Sequence, residues 1–334
     1  MLNKTKLFNV DGDDSIESQS IFQGNPTGIL NLNNVRYPWV KGFYKVMMGN
    51  FWIPEKVSLV DDKTTIETLT DSEDIAVQKT LAFLIFLDSM QVNNLPNIAD
   101  YITNSGVKNL LGIQTFQEIV HSQSYQYILE SLYTNGVRES IYEEWRNNPL
   151  LLKRNQFIAD QMQAFVDCPD EDMVKRVLIA NLALEGIYFY CGFNLFDQLA
   201  SRKKLVQTQK VIDYIRVDEA SHVALFTKII NETMDCKKEQ DWIIPFIEKV
   251  TLQEIEWAKS IYGNSILGIS EESTEQFVKD LANRRLRGIG IDPIFEGVSN
   301  PYIHLDVQSR ANFFEAGANT SYSRSESIDG WDDF

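Results

Sequence analysis

Two isolated carboxylates inside apolar helical runs constrain this chain more than any other feature. Asp88 interrupts Leu84-Ile-Phe-Leu-Asp-Ser, and Glu185 interrupts Asn181-Leu-Ala-Leu-Glu-Gly-Ile-Tyr-Phe-Tyr. Around Asp88, the spacing of Ile75, Val77, Leu81, Leu84, Ile85 and Leu87 behind a Thr70-x-x-Glu73 capping box predicts a largely buried helix ending before Pro96. A lone carboxylate in such a place costs several kcal/mol unless it is paired, protonated or bound to a metal. A chain with two of them needs one explanation that serves both.

The histidines supply it. Only three occur, and two of them carry a glutamate three residues earlier on a predicted long helix: Glu118 with His121, and Glu219 with His222. Residues i and i+3 share a helix face, so each pair can aim a carboxylate oxygen and an imidazole nitrogen at one point. One such pair alone is more often a solvated helix pair, and one lone acid is more often a satisfied core acid. In order, however, the chain offers acid, Glu-x-x-His, acid, Glu-x-x-His on four long helices. Four carboxylates and two imidazoles form the donor set of the ferritin-like dimetal carboxylate bundles. Oxygen donors with limited nitrogen suit iron or manganese, and the absence of thiolate spacing argues against structural zinc. Four carboxylates also neutralise two divalent ions.

The rest of the chain fits one all-α, ferritin-like bundle of long helices. Helices are expected over about 107–133, 137–146, 150–167, 171–199, 203–232, 239–262 and 271–287, with strand signals nearly absent. Residues 1–70 hold most of the early turn formers and read as an extended arm packing on the 71–316 helical domain. Residues 317–334 are rich in Ser, Asn and Asp and read as a flexible tail. With 31 Lys and Arg against 47 Asp and Glu, the net charge of −16 disfavours nucleic acid as a partner. Cys168, Cys191 and Cys236 make neither a disulfide framework nor a CxxC site, which suits a reducing cytoplasm. The longest purely apolar run, Leu81 to Leu87, is too short to span a membrane. His304 has no partner spacing and reads as a surface residue, and Cys191 as a small core residue.

Tyr125 follows His121 by four residues, on the same helix face and about 6 Å further along. It is within reach of an oxidising metal centre, with Phe189, Phe193 and Ile215 as candidate apolar lining; by itself such an aromatic stripe is more often plain core.

Glu-Ile-Val-His-Ser-Gln-Ser-Tyr (118–125), Ala-Leu-Glu-Gly-Ile-Tyr-Phe-Tyr (183–190), Arg-Val-Asp-Glu-Ala-Ser-His (216–222) and Phe-Trp-Ile-Pro-Glu (51–55) together resemble the small, radical-generating beta subunit of class I ribonucleotide reductase. The resemblance implies Asp88, Glu118 and His121 around one metal and Glu185, Glu219 and His222 around the other. It implies Tyr125 as the tyrosyl radical site and Asp218 as a bridge from His121 to Trp52, with Tyr322 in the tail as a relay tyrosine. In that scheme the dimetal centre, activated by an oxygen species, oxidises Tyr125, and the oxidising equivalent passes through Trp52 and Tyr322 to the large (alpha) subunit, where deoxyribonucleotides are made. Some manganese-using members keep the tyrosine and store the equivalent on the metals. Two irons, two manganese ions or a mixed pair all suit the ligands. The tail, ending in Trp331 and Phe334, is expected to dock on the large subunit. A homodimer is also implied, and a flavoprotein activator is a further partner the resemblance allows. Two other readings compete: a dimetal oxidase or oxygenase with an open substrate cavity, and a metal-free helical interaction protein. Ferritin-like iron storage ranks lower for a chain with so long an arm and tail.

Overall fold

The computed structural model of the protein describes residues 2–31, 33 and 35–303. Among them there are helices and no strands. In chain order these are α1 (Trp39–Gly49), α2 (Asp62–Thr65), α3 (Asp71–Ala99), α4 (Ser105–Leu132), α5 (Asn135–Asn147), α6 (Pro149–Asp167), α7 (Glu171–Ala183), a π-turn (Leu184–Tyr188), α8 (Phe189–Ser201), α9 (Val206–Thr233), α10 (Gln240–Tyr262) and α11 (Glu271–Gly288). His304, Tyr322 and Trp331 lie outside the described residues.

Local chemistry sets the ends of the helices. Thr70 accepts from the Glu73 backbone while Glu73 returns a bond to the Thr70 N–H, the expected capping box. Asn104, Asn148 and Asp170 cap α4, α6 and α7 through their side-chain oxygens. Contrary to the sequence expectation, α3 runs through Pro96 to Ala99. The proline removes one hydrogen bond in the final turn, where the loss is small, and Leu95 and Ile98 on either side of it stay buried.

Helices α3, α4, α9 and the α7–α8 pair pack on one another and form the core that holds the site. By length and composition, Asp71–Ala99 and Glu171–Ser201 could each cross a membrane, but 56% and 94% of their most apolar windows are buried inside the protein. They are core helices.

The arm is not wholly extended. Helix α1 presents Val40, Phe43 and Met47 on one face, and all three are buried as it packs on α4 and α9. Each such burial stabilises by about 1.5–3 kcal/mol. Positions i, i+3 and i+7 carry the helical signal, but over 11 residues among turn formers it is short.

Candidate metal centre

Five of the six side chains arrive on long helices and the sixth on the π-turn between α7 and α8. Asp88 comes from α3, Glu118 and His121 from α4, Glu185 from the π-turn, and Glu219 and His222 from α9; all six are fully buried. They form two overlapping sets, Asp88–Glu118–His121–Glu219 and Glu118–Glu185–Glu219–His222, with ligand atoms in each set within 4.8 Å of one another. Glu118 and Glu219 belong to both. The two separate groups of three expected from the resemblance are thus found as overlapping groups of four.

Both imidazoles turn Nδ1 toward this cluster. His121 Nδ1 lies 3.2 Å from Glu219, 3.4 Å from Glu118 and 3.8 Å from Asp88. His222 Nδ1 lies 3.2 Å from both Glu118 and Glu219 and 3.7 Å from Glu185. Six buried atoms of the cluster have no hydrogen-bond partner among the described residues: both Asp88 oxygens, Glu118 Oε2, His121 Nδ1, Glu185 Oε2 and Glu219 Oε1. Orphans of this kind are costly unless something else satisfies them. The donor set therefore fits two divalent ions with oxygen-rich coordination.

Electrostatics explain the cluster without metal. Burial pushes the Asp88 and Glu185 carboxyls well up. Burial acts the same way on Glu118 and Glu219, but neighbours reverse its effect and bring both down: the imidazoles for Glu118, and the hydrogen bond with Glu185 followed by the imidazoles for Glu219. Burial alone would lower the two histidines, yet the carboxylates around them hold both well above their ordinary value. The Tyr125 phenol is fully buried and pushed well up, first by desolvation and then by the charges of Asp88 and Glu219.

Behind the histidines lies a hydrogen-bonded outlet. Asp218 Oδ2 lies 3.2 Å from His121 Nε2 and accepts from Trp52 Nε1 at 2.9 Å. Trp52 stacks on Tyr214, ring centroids 5.1 Å apart, and its other neighbour is the His121 ring at 6.3 Å. The expected His121–Asp218–Trp52 contact is therefore present in the geometry. Phe189, Phe193 and Ile215 are buried.

Gln91 and Gln117 are absent from the sequence reading, and Gln114, one turn before Glu118 where some family members have tryptophan, had no role in it. Gln114 donates to Glu185 at 2.7 Å, and Gln91 donates to the same oxygen. Gln117 bonds both His222 and Asp218. Their signal was available: Gln114 and Gln117 stand four and one residues before Glu118, and Gln91 three after Asp88, all facing the interior of apolar helices. The π-turn carrying Glu185 had no such signal. Its extra residue is accommodated where Arg285 of α11, buried, donates to the Gly186 carbonyl at 2.9 Å. A Cβ on Gly186 would lie 2.5 Å from Arg285 Nε, so the close approach requires glycine.

The family model described as "Ribonucleotide reductase, small chain" matches residues 29–301. A ribonucleoside-diphosphate reductase subunit beta from Treponema pallidum is 36% identical, covering 98% of this chain and 97% of its own length. One from Halalkalibacterium halodurans is 33% identical, with 99% of each covered. Among solved structures, a ribonucleotide reductase R2 subunit from Clostridium botulinum has a TM-score of 0.87 at 38% identity, covering 92% of this chain and 99% of its own. A dimanganese(II)-NrdF from Streptococcus sanguinis shares the fold with a TM-score of 0.74 at 22% identity, covering 84% of this chain and 99% of its own.

Proposed function

The chain belongs to the ribonucleotide reductase small-chain family and is the small subunit of a class I ribonucleoside-diphosphate reductase, an oxidoreductase that works with a large subunit; we propose that Asp88, Glu118, His121, Glu185, Glu219 and His222 hold its two transition-metal ions. The observation that carries this reading is the overlap of two buried ligand sets through Glu118 and Glu219, with orphaned donor atoms aimed inward. Two ions held there, iron, manganese or one of each, supply the one-electron redox chemistry with an oxygen species that no side chain provides.

The chain's own residues do the rest. Glu118 and Glu219, common to both ligand sets, would each contribute to both, and His121 and His222 would offer Nδ1. Asp218 fixes the His121 ring from behind and receives the Trp52 N–H. Tyr125, on the His121 face of α4, is the radical-storing side chain, and its burial excludes water and reductants. The route to the large subunit leaves through Asp218 and Trp52, and residues 317–334, with Tyr322 and the terminal aromatics, complete it by docking on that subunit. We divide the chain accordingly into an arm (1–70), a bundle (71–316) and this tail.

A cavity of about 580 Å³ lies between α1 and α4, with Trp52 and Gln117 in its lining and none of the six ligand residues. Its rim exposes Leu30, Tyr44, Met48, Phe51 and Phe116, with Phe51 stacked on Phe116 at 6.1 Å. We assign this apolar face to a second copy of the chain, giving a homodimer. Cys168, Cys191 and Cys236 are free thiols, which suits the cytoplasm. A flavoprotein activator stays a proposal, tested by reductant-dependent activation.

The test is metal analysis and electron paramagnetic resonance on protein activated in oxygen, repeated for Tyr125→Phe. Two ions per chain and a tyrosyl signal lost in the variant are expected. A metal-centred signal unchanged in the variant, with activity intact, removes Tyr125 from the role.

A further inference from the structure

Gln117 sits on α4 one residue before Glu118, 4% exposed, with both ends of its amide in use. Its Oε1 lies 3.0 Å from His222 Nε2, and its Nε2 donates to Asp218 Oδ1 at 2.9 Å. The same NH2 group donates to the Met47 carbonyl at 3.3 Å, near the end of α1 where helical carbonyls lack intrahelical partners. Asp218 therefore uses both oxygens: Oδ1 for Gln117, and Oδ2 for Trp52 and His121.

The two ends of an amide are not interchangeable here. Turned around, the NH2 would face the outer N–H of His222 while the oxygen faced a carboxylate, so both contacts would become repulsive. With Gln117 as found, its amide oxygen accepts the outer N–H of His222, and Nδ1 is the ring nitrogen turned toward the cluster. His121 receives the same service from Asp218. The histidines of the two ligand sets are thus joined behind the cluster through one amide and one carboxylate, and that carboxylate also holds Trp52.

We infer that Gln117 is a positioning residue that orients His222 toward its ion and at the same time holds Asp218 in the rotamer that serves His121 and Trp52. The inference rests on the proposed two-ion reading and adds to it a single joint between the ligand set containing His222 and the outlet. Nothing else among the described contacts links His222 to Asp218 so directly.

The experiment uses the full chain and its Gln117→Met variant, which keeps the shape of the side chain and loses both polar ends. Mn(II) is titrated and the free ion followed by electron paramagnetic resonance. In the variant, one of two dissociation constants is expected to weaken by about 10- to 100-fold while the other stays within about 3-fold. Independently of any metal, deuterium exchange of the Trp52 indole N–H, assigned with Trp52→Phe, is expected to quicken about 10-fold or more as Asp218 loses its second anchor. Wild-type values for both quantities in a folded variant overturn the inference. Should Gln117→Met not fold, Gln117→Asn, whose amide falls short of both partners, is read in the same two ways. If the wild-type chain itself takes up fewer than two ions, the two-ion reading fails, and the Trp52 exchange still decides whether Gln117 holds Asp218.

Discussion

Metal uptake by this site should expel protons, and charge balance sets the limit. The six side chains are buried together, and the shifts favour protons on the cluster: burial raises the Asp88 and Glu185 carboxyls, and the surrounding carboxylates raise His121 and His222. Ligation needs the carboxylates ionised and the imidazoles neutral. A divalent ion that displaces its own charge in protons releases two, so loading both sites releases up to four. Protons compete with metal at every one of these positions, so affinity must rise with pH and fall as pH drops. At the limit of two protons per ion, the apparent affinity for each ion changes about 100-fold per pH unit, or about 2.7 kcal/mol. Calorimetric Mn(II) titrations in buffers of different ionisation enthalpy, between about pH 6 and pH 8, count the protons directly. Release of fewer than about one proton for two ions, or an affinity flat across that range, would refute the reasoning. It would mean that four carboxylates stand ionised in a buried cluster with no cation to pair them.

Replacing Asp218 by asparagine removes the charge that faces His121 and Trp52, and turnover with the large subunit should fall by about 10- to 100-fold with two ions still bound, as read by parallel activity and metal assays. Arg154 and Glu254 form a buried ion pair, Nε to Oε2 at 2.5 Å, with the guanidinium 3.7 Å from the Tyr188 ring centroid. Arg154→Met should cost about 3–5 kcal/mol in urea unfolding, and adding Glu254→Leu should recover part of it, because the single change leaves a carboxylate buried alone. Gly186→Ala pushes a methyl against the buried Arg285 side chain and should lower stability by about 1–3 kcal/mol in the same assay, whereas Gly42→Ala, with open space at its Cβ, should not.

The fold class and the six side chains that cluster were legible because both rest on rules that act along the chain. Helical periodicity, the Thr70 cap and the i, i+3 pairing of Glu118 with His121 and of Glu219 with His222 are local, and a lone Asp88 or Glu185 in an apolar run is costly whatever surrounds it. What the sequence left out depends on contacts between elements. Gln91 and Gln114 converge on Glu185 only once α3 and α4 are packed, and nothing in either segment alone shows that they share an oxygen. The π-turn at Leu184–Tyr188 depends on Arg285, about a hundred residues away in the chain, which takes the Gly186 carbonyl. Helix α1 was hidden by its short length, and the sharing of Glu118 and Glu219 between the two ligand sets by the need to know how the helices are rotated.

The outlet proposed for the buried cluster runs through the arm. The six clustered side chains all lie beyond residue 70, whereas Trp52, which donates to Asp218, follows directly after α1. Phe43 and Met47 bury against the core and the Met47 carbonyl takes the Gln117 amide. Chain direction then turns at Asn50, and a short 3-10 turn over Pro54–Lys56 follows immediately, with Tyr127 of α4 bonding the Val57 carbonyl at 3.0 Å. Trp52 is thereby fixed from both sides, by Met47 before it and Val57 after it, each tied to α4. The same helix that supplies Glu118 and His121 therefore also anchors the segment that carries the indole, and distances along the route depend on one rigid element instead of several. Such an arrangement lets the cluster stay dry while an aromatic ring at the edge of the bundle remains in hydrogen-bonded contact with it.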